Sequence, residues 1–376
     1  MAPIKSSLAR SVGKLLGVFK DTDLSLRGDV QSLRVAAAAK TVASGGTKFE
    51  SGDQTYHLFH TSSTLVMAND GGEDLTAEIF LVAGGGAGTD GGGGAGGIRN
   101  VPGITLSAGE TWTCTVGAGG NPSGGPAGSA SSRPNWSPGS TQANDLVGRH
   151  TDFYFQPVSY PNPKYYRAIG GGKGGVWGNS GGPGGSGGGA GNRSPNAQGG
   201  SANSDDGTPI SAPGQYGNAG GPVGGAPESY IGGGGGGAGG GGQEGNDPEP
   251  TAVRGNGGVG QPFPAYASPI IGPQLTAAGV PGPEVTAFNT AVGPTGLYGG
   301  GGGGGGRQPG DDSGTTGGPG GGGPGGNGAG SATHGDDGVK YTGGGGGGGG
   351  FNAPTTTYGP GGGGGTGIII IKYPTP

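Results

Sequence analysis

Gly361–Pro374 reads GGGGGTGIIIIKYP, and the decisive part is Ile368–Ile371. Four consecutive β-branched apolar residues make a strand suited to burial on both faces. Its neighbours in sequence are glycine runs, which offer no strand to pair with. The strand is therefore expected to return to a sheet made by TAEIFLVA (Thr76–Ala83) and TLSAGETWTCTV (Thr105–Val116). On that reading nearly everything between is one long insertion, closed at its base by a small β domain.

The insertion is glycine-rich to a degree that changes what a core can be. The chain has 376 residues, of which 108 are Gly and 31 Pro, with only 11% charged. Just 8 of those glycines lie in residues 1–83. Eight consecutive glycines at 299–306 and again at 343–350 break any strict G-X-Y period, which excludes collagen. Such runs are either flexible coil, because ordering each residue costs on the order of 1–2 kcal/mol with no side chain to bury, or packed polyproline-II-like helices. In the second case the absence of Cβ atoms lets neighbouring backbones bond one another. Eight residues at about 3.1 Å each span roughly 25 Å, a repeated length fit for a lattice. Pro183, Pro319 and Pro324 punctuate the runs with a preset φ and forfeit one donor each. Packed polyglycine helices are the expectation.

Upstream, Leu8, Val12, Leu15 and Phe19 recur at helical spacing, predicting a short amphipathic helix within residues 1–34. A helix that short needs a partner surface. Docking onto a larger assembly is favoured over membrane-surface binding or packing on its own domain. Residues 35–48 read as a linker. TYHLFHTSSTLVMA (Thr55–Ala68) has strand character, and Thr105–Val116 reads as a hairpin turning at Ser107–Gly109 with Trp112, Cys114 and Val116 on one face. The expected organisation is an attachment segment (1–34), a linker (35–48), a small β domain (49–116 plus 366–376) and a glycine-rich body (117–365).

Between the runs lie segments of different composition. Residues 131–168 carry Trp136, Phe153, Tyr154, Phe155, Tyr160, Tyr165 and Tyr166, and residues 261–298 carry Phe263, Tyr266, Phe288 and Tyr298 among many prolines. Rigid scaffolds that present polar-aromatic loops form recognition surfaces. Trp136, Tyr154, Tyr160, Tyr165, Tyr166, Phe263 and Tyr266 are thus candidate receptor-binding residues, with capping of the glycine lattice as the alternative role.

Signs of catalysis are lacking. Matches to G-x-G-x-x-G carry no weight in a chain this rich in glycine, and Gly174 follows Lys173 where a phosphate loop needs Ser or Thr. His57 and His60 are three apart on a strand and point to opposite faces. The acidic pairs Asp205–Asp206, Asp311–Asp312 and Asp336–Asp337 lack calcium-loop spacing and read as solvated turns. No enzyme, metal or cofactor is expected. Net charge is −5 without blocks of like charge, so no nucleic-acid partner is expected. A single cysteine, Cys114, excludes an intrachain disulfide. No signal-type apolar segment is read, so synthesis in a reducing cytoplasm is expected.

The series YHLFHTSSTL, TAEIFLVAGGGAGTDGGGGAGGIRNV and GETWTCTVGAGG, then glycine blocks and a closing GGTGIIIIKYP, resembles the glycine-rich domain of bacteriophage tail-fibre and related virion proteins. Such domains are frequent in phages of marine cyanobacteria and resemble the fibre-tip adhesins of T-even-like phages. The resemblance covers about residues 49–376. It implies a fold of mainly β and irregular structure: a short N-terminal helix, a small sheet domain closed by the C-terminal strand, and stacked polyglycine-II helices with long loops. The implied function is a structural virion protein, most simply a tail fibre that reaches a host surface glycan or outer-membrane protein through loops at the helix ends. It would be anchored by Leu8, Val12, Leu15 and Phe19 to a tail hub, nozzle or capsid, and homotrimeric. A capsid or tail decoration protein without a receptor is the alternative, and ice-binding and matrix roles are further ones.

Overall fold

The computed structural model describes residues 42–69, 72–122, 146–155, 164–192, 196–203, 214–224, 231–245, 255–306, 315–328, 333–352 and 357–375. The proposed attachment segment, including Leu8, Val12, Leu15 and Phe19, lies outside the described residues, as do Trp136 and Tyr160. Among the described residues the chain is mainly strands and loops, with small antiparallel sheets and two short α-helices.

The strands are β1 (Ala43–Ser44), β2 (Thr47–Ser51), β3 (Gln54–Phe59), β4 (Ser63–Met67), β5 (Leu75–Val82), β6 (Ile98–Leu106), β7 (Thr111–Thr115), β8 (Thr151–Phe155), β9 (Tyr165–Ala168) and β10 (Gln215–Tyr216). Four of two residues follow, β11 (Gln261–Pro262), β12 (Leu297–Tyr298), β13 (Phe351–Asn352) and β14 (Thr357–Tyr358), and then β15 (Ile368–Pro374). The helices are α1 (Ser268–Ala277) and α2 (Gly282–Val292). A six-stranded sheet has the order β10-β6-β5-β15-β3-β2, and a five-stranded sheet β1-β4-β7-β8-β9.

β15 lies between β3 and β5, antiparallel to both, with Ile370 opposite Leu58 on one side and Phe80 on the other. All four of its isoleucines are fully buried. Alternation splits them. Ile369 and Ile371 enter the core between the two sheets with Phe59, Ile79, Leu81, Leu65, Trp112, Cys114 and Phe153. Ile368 and Ile370 face the opposite way, into a second core with Leu58, Phe80, Ile271, Leu275, Val285, Phe288 and Val292. The apolar run is thus the shared wall of two cores, which is why it shows no alternation.

Thr105–Val116 is not a hairpin within one sheet. β6 pairs with β5 and β10, whereas β7 pairs with β4 and β8, so the turn carries the chain from one sheet to the other. Gly109 turns with φ 77°, and the Glu110 carboxylate accepts the Ser107 N–H at 3.0 Å and the Trp112 indole N–H at 3.1 Å. The sequence reading of Trp112 and Cys114 on one face holds, since both are buried in the inter-sheet core. β1 falls inside the stretch read as a linker, and β8 and β9 inside the stretch read as glycine-rich body.

Residues 261–298, expected as a long loop, contain both helices. Pro269 and Pro283 occupy first-turn positions, where a missing N–H costs nothing. Ile271 and Leu275, then Val285, Phe288 and Val292, recur at helical spacing and are buried against the six-stranded sheet. The helices meet closely at Gly272, where a Cβ would lie 2.0 Å from Asn289 Oδ1.

The glycine runs bond one another in a regular order. From Gly84, successive N–H groups donate to Arg149, Gly365 and Gly94, and the next three to Leu146, Gly362 and Gly91, at 2.8–3.0 Å. Every third residue therefore returns to the same neighbour, three residues along it. The returning run repeats the pattern: Gly91, Gly94 and Gly97 donate to Gly175, Gly172 and Ile169, Gly92 and Ala95 to Gly233 and Gly236, and Gly93 and Gly96 to Gly346 and Gly343. Gly84 and Gly97 adjoin the ends of β5 and β6, so the turn at Thr89–Gly91 marks the far end of this glycine body.

Candidate functional site

Among the described residues, two surfaces carry grouped aromatic and polar side chains: the outer face of the five-stranded sheet and the far end of the glycine body. On the sheet, the register sets Tyr154 opposite Tyr165 and Asp152 opposite Arg167. Alternation sends all four away from the inter-sheet core, because Phe153 on the same strand points into it. The Tyr154 and Tyr165 rings stack with centroids 4.9 Å apart and planes within 11°. Arg167 Nε donates to Asp152 Oδ1 at 2.6 Å and Nη2 to Oδ2 at 3.3 Å. The same Nη2 donates to the Tyr165 hydroxyl at 2.8 Å, and the guanidinium lies 5.3 Å from the Tyr165 ring centroid.

This geometry fixes the ring in position and orientation. Burial, then the nearby Asp152 carboxylate, raises the Tyr165 phenol above its ordinary pKa, so it stays protonated at physiological pH. Thr111, Thr113 and Thr115 continue the face on β7, with Thr64 across from Thr113 and the exposed Val66 across from Thr111. The result is a surface of methyl groups, hydroxyls, one ion pair and one stacked aromatic pair.

Tyr166 takes the other side of β9. Its ring packs 6.4 Å from both Trp112 and Phe153, and the Arg99 guanidinium lies 5.5 Å from its centroid. Burial raises its pKa also. It is half-buried against the core and belongs less to the outer face than its sequence neighbour does.

Two sequence-predicted site residues are corrected outright. Phe263 and Tyr266 are core residues, and Tyr266 is 1% exposed. Both rings pack on Phe80, at 4.8 and 4.3 Å between centroids. The Tyr266 hydroxyl donates to Glu78 Oε1 at 3.0 Å, and Lys372 bridges the same carboxylate at 2.9 Å. Proline-rich surroundings suggested a loop, but Pro269 and Pro283 start helices, Pro273 is accommodated inside the first of them, and their apolar faces cover the sheet. Tyr154, Tyr165 and Tyr166 also differ from expectation, since they stand on strands at the sheet end of the molecule rather than on loops at the far end.

The far end holds residues that sequence reasoning passed over. Asp90 is buried, and its carboxylate accepts the Trp177 N–H at 2.5 Å. Its own carbonyl accepts from Gly305 at 2.7 Å, while the Thr89 carbonyl accepts from Gly349 at 2.6 Å. One turn thereby ties three runs. Trp177 meets Phe351 edge to face, with centroids 6.1 Å apart. The signal was a lone Trp and a lone Phe, each abutting a glycine run, where a bulky side chain can only sit at a lattice boundary.

Among the described residues no group of three His, Cys, Asp or Glu side chains is placed to hold a metal ion. Among the same residues no helix is long and apolar enough to cross a membrane. No protein-family model matches the chain, and no curated protein matches it significantly.

Proposed function

We propose that this chain is a structural virion protein of a tailed phage, of the fibre or adhesin type, that contacts a host surface glycan or outer-membrane protein. In this reading the glycine runs are polyglycine-II helices, and β15 closes the base of the insertion they form. The observation that carries it is the three-residue hydrogen-bond step, with each run bonding three neighbours in turn. A helix with three residues per turn and no internal hydrogen bonds has that pattern. Such a body is rigid without side chains, so its non-glycine residues are free to serve contact. The Tyr154–Tyr165 stack is the best-formed contact surface on the described residues, because sugar rings pack their C–H faces on flat aromatic rings and bond to adjacent hydroxyls and charges. Anchoring falls to residues 1–34, and assembly is homotrimeric.

The test uses purified protein as a competitor of adsorption by the phage that encodes it. Wild-type protein is expected to block adsorption, and the Tyr154→Ala/Tyr165→Ala double variant to block at least tenfold less well. Wild-type protein that never competes would leave the decoration reading in place of the adhesin one. Deleting residues 2–34 is expected to give particles that lack the protein, and particles that retain it would remove the anchor.

A further inference from the structure

A separate cleft of about 580 Å³ opens on the flank of the glycine body beside α2. Its size falls within the roughly 300–1,000 Å³ of small-molecule sites. Four chain segments meet there, around Asn121, Glu284, Asp337 and Gly363. The groups that organise it are fixed. Glu284 takes the Lys340 ammonium at 2.6 Å on Oε1 and the Tyr341 hydroxyl at 2.8 Å on Oε2. These hydrogen bonds, Lys340 first, hold its carboxyl below the ordinary carboxylate range, and on Tyr341 burial first and the bond second push the phenol up to about 12. Asp337, in the lining, accepts the Gly363 N–H on Oδ1 at 2.6 Å. Pro122, Pro283, Ala287 and Val339 supply apolar contact, and the main chain at Gly338, Gly363 and Gly364 is bare of side chains.

We infer that this cleft is a binding site for a short neutral saccharide. The lining carries two carboxylates against one ammonium, which disfavours phosphate, sulfate and acidic sugars. Lys340 is paired with Glu284, and the other polar side chains of the lining are the Asp337 carboxylate, the Asn121 amide and the Thr366 hydroxyl. That is an acceptor-rich set suited to hydroxyls. The proline and valine surfaces suit the C–H face of a pyranose ring. At Gly363 a Cβ would stand among the lining atoms, 3.3 Å from Pro122 and 3.4 Å from Asp337 Oδ1, so glycine there keeps the cleft open. The site goes beyond the adhesin reading and does not use the tyrosine stack.

The full chain is titrated with maltotriose, chitotriose, mannotriose and trigalacturonate, read by saturation-transfer NMR. At least one neutral trisaccharide is expected to bind, with trigalacturonate weakest. Ala287→Trp fills the cleft from an exposed helix position and is expected to abolish the signal. Asp337→Asn, also at an exposed position, is expected to weaken it at least tenfold. All titrations are run in the Tyr154→Ala/Tyr165→Ala background, which removes any saccharide signal from the tyrosine stack and separates this site from the adsorption test. The inference is overturned if none of the neutral probes binds, if trigalacturonate binds best, or if binding survives in Ala287→Trp with an unchanged melting temperature.

Discussion

Replacing Gly93 with alanine tests whether the glycine is structural or merely permissive. A Cβ at Gly93 would lie 2.1 Å from the Gly86 carbonyl oxygen and 2.7 Å from its carbon. Ordinary contact needs roughly 3.5 Å, so the two runs must part by more than about 1 Å. The Gly86 N–H to Gly94 bond, now 2.8 Å, would leave bonding range, and the Gly93 N–H to Gly346 bond at 2.8 Å would be strained. Overpacking typically costs about 1–3 kcal/mol, and each weakened buried bond adds about 1 kcal/mol or more. The sum is about 3–5 kcal/mol. At about 2 °C per kcal/mol the melting temperature should drop by roughly 6–10 °C. Gly241→Ala is the matched control, because it lies in a glycine run but its Cβ would meet nothing closer than the Ala219 carbonyl at 3.4 Å. Calorimetry or dye-monitored melting of the two variants beside wild type gives the comparison. Equal melting temperatures would refute the lattice argument and make the glycines a matter of chain flexibility.

Stability should fall as pH drops below about 6.5, because burial holds the His57 pKa below its ordinary value and the neighbouring Lys48 charge lowers it further, against a raising bond to Gly45. The unfolded chain then binds a proton that the native state refuses. The carbonyl of Gly45 at 2.7 Å fixes the proton on Nδ1, and Tyr373 donates to Nε2 at 2.9 Å, so a melting-temperature series in pH should be steeper for wild type than for His57→Gln, and equal slopes would exclude His57 as the source. A second loss belongs below pH 4.5: burial opposes ionisation of Glu78, but hydrogen bonds from Lys372, Asn100 and Tyr266 outweigh it and keep its pKa low. Cys114, fully buried and with its thiol pushed up to about 12 by burial, should resist iodoacetamide at pH 8 until the protein unfolds; rapid labelling of folded protein would contradict the inter-sheet core. Tyr266→Ala should cost about 3–5 kcal/mol, as large core truncations do, whereas Tyr154→Ala should cost under about 1 kcal/mol, and comparable denaturation midpoints would contradict their assignment to core and surface.

What the sequence disclosed and what it hid follow from one physical difference. Strands announced themselves through side chains: Ile368–Ile371 and Thr76–Ala83 are apolar because they are buried and pair as expected, but the strand on the other side of β15 is β3, not Thr105–Val116. The helices at Ser268–Val292 were hidden by prolines, although Ile271, Leu275, Val285, Phe288 and Val292 kept a helical period that weighs more than proline placed in a first turn. Sheet membership was hidden as well, because the turn at Ser107–Glu110 looks the same whether it closes a hairpin or crosses between sheets. The candidate residues divided on burial, which composition does not encode. Tyr154 and Tyr266 are the same residue in similarly proline-flanked segments, yet one alternates outward on β8 and the other lies under a helix pair. In the glycine body the relation inverts. There the side chains are absent, so the sequence gives run lengths only, and specificity of packing resides in which carbonyl each N–H meets. A misplaced methyl group in that body has no rotamer by which to escape, and at most buried positions, as at Gly93, the atoms it would meet are backbone. The few bulky residues in the runs are therefore confined to ends and flanks. On the proposed reading, that confinement lets surface contact and backbone packing be altered independently.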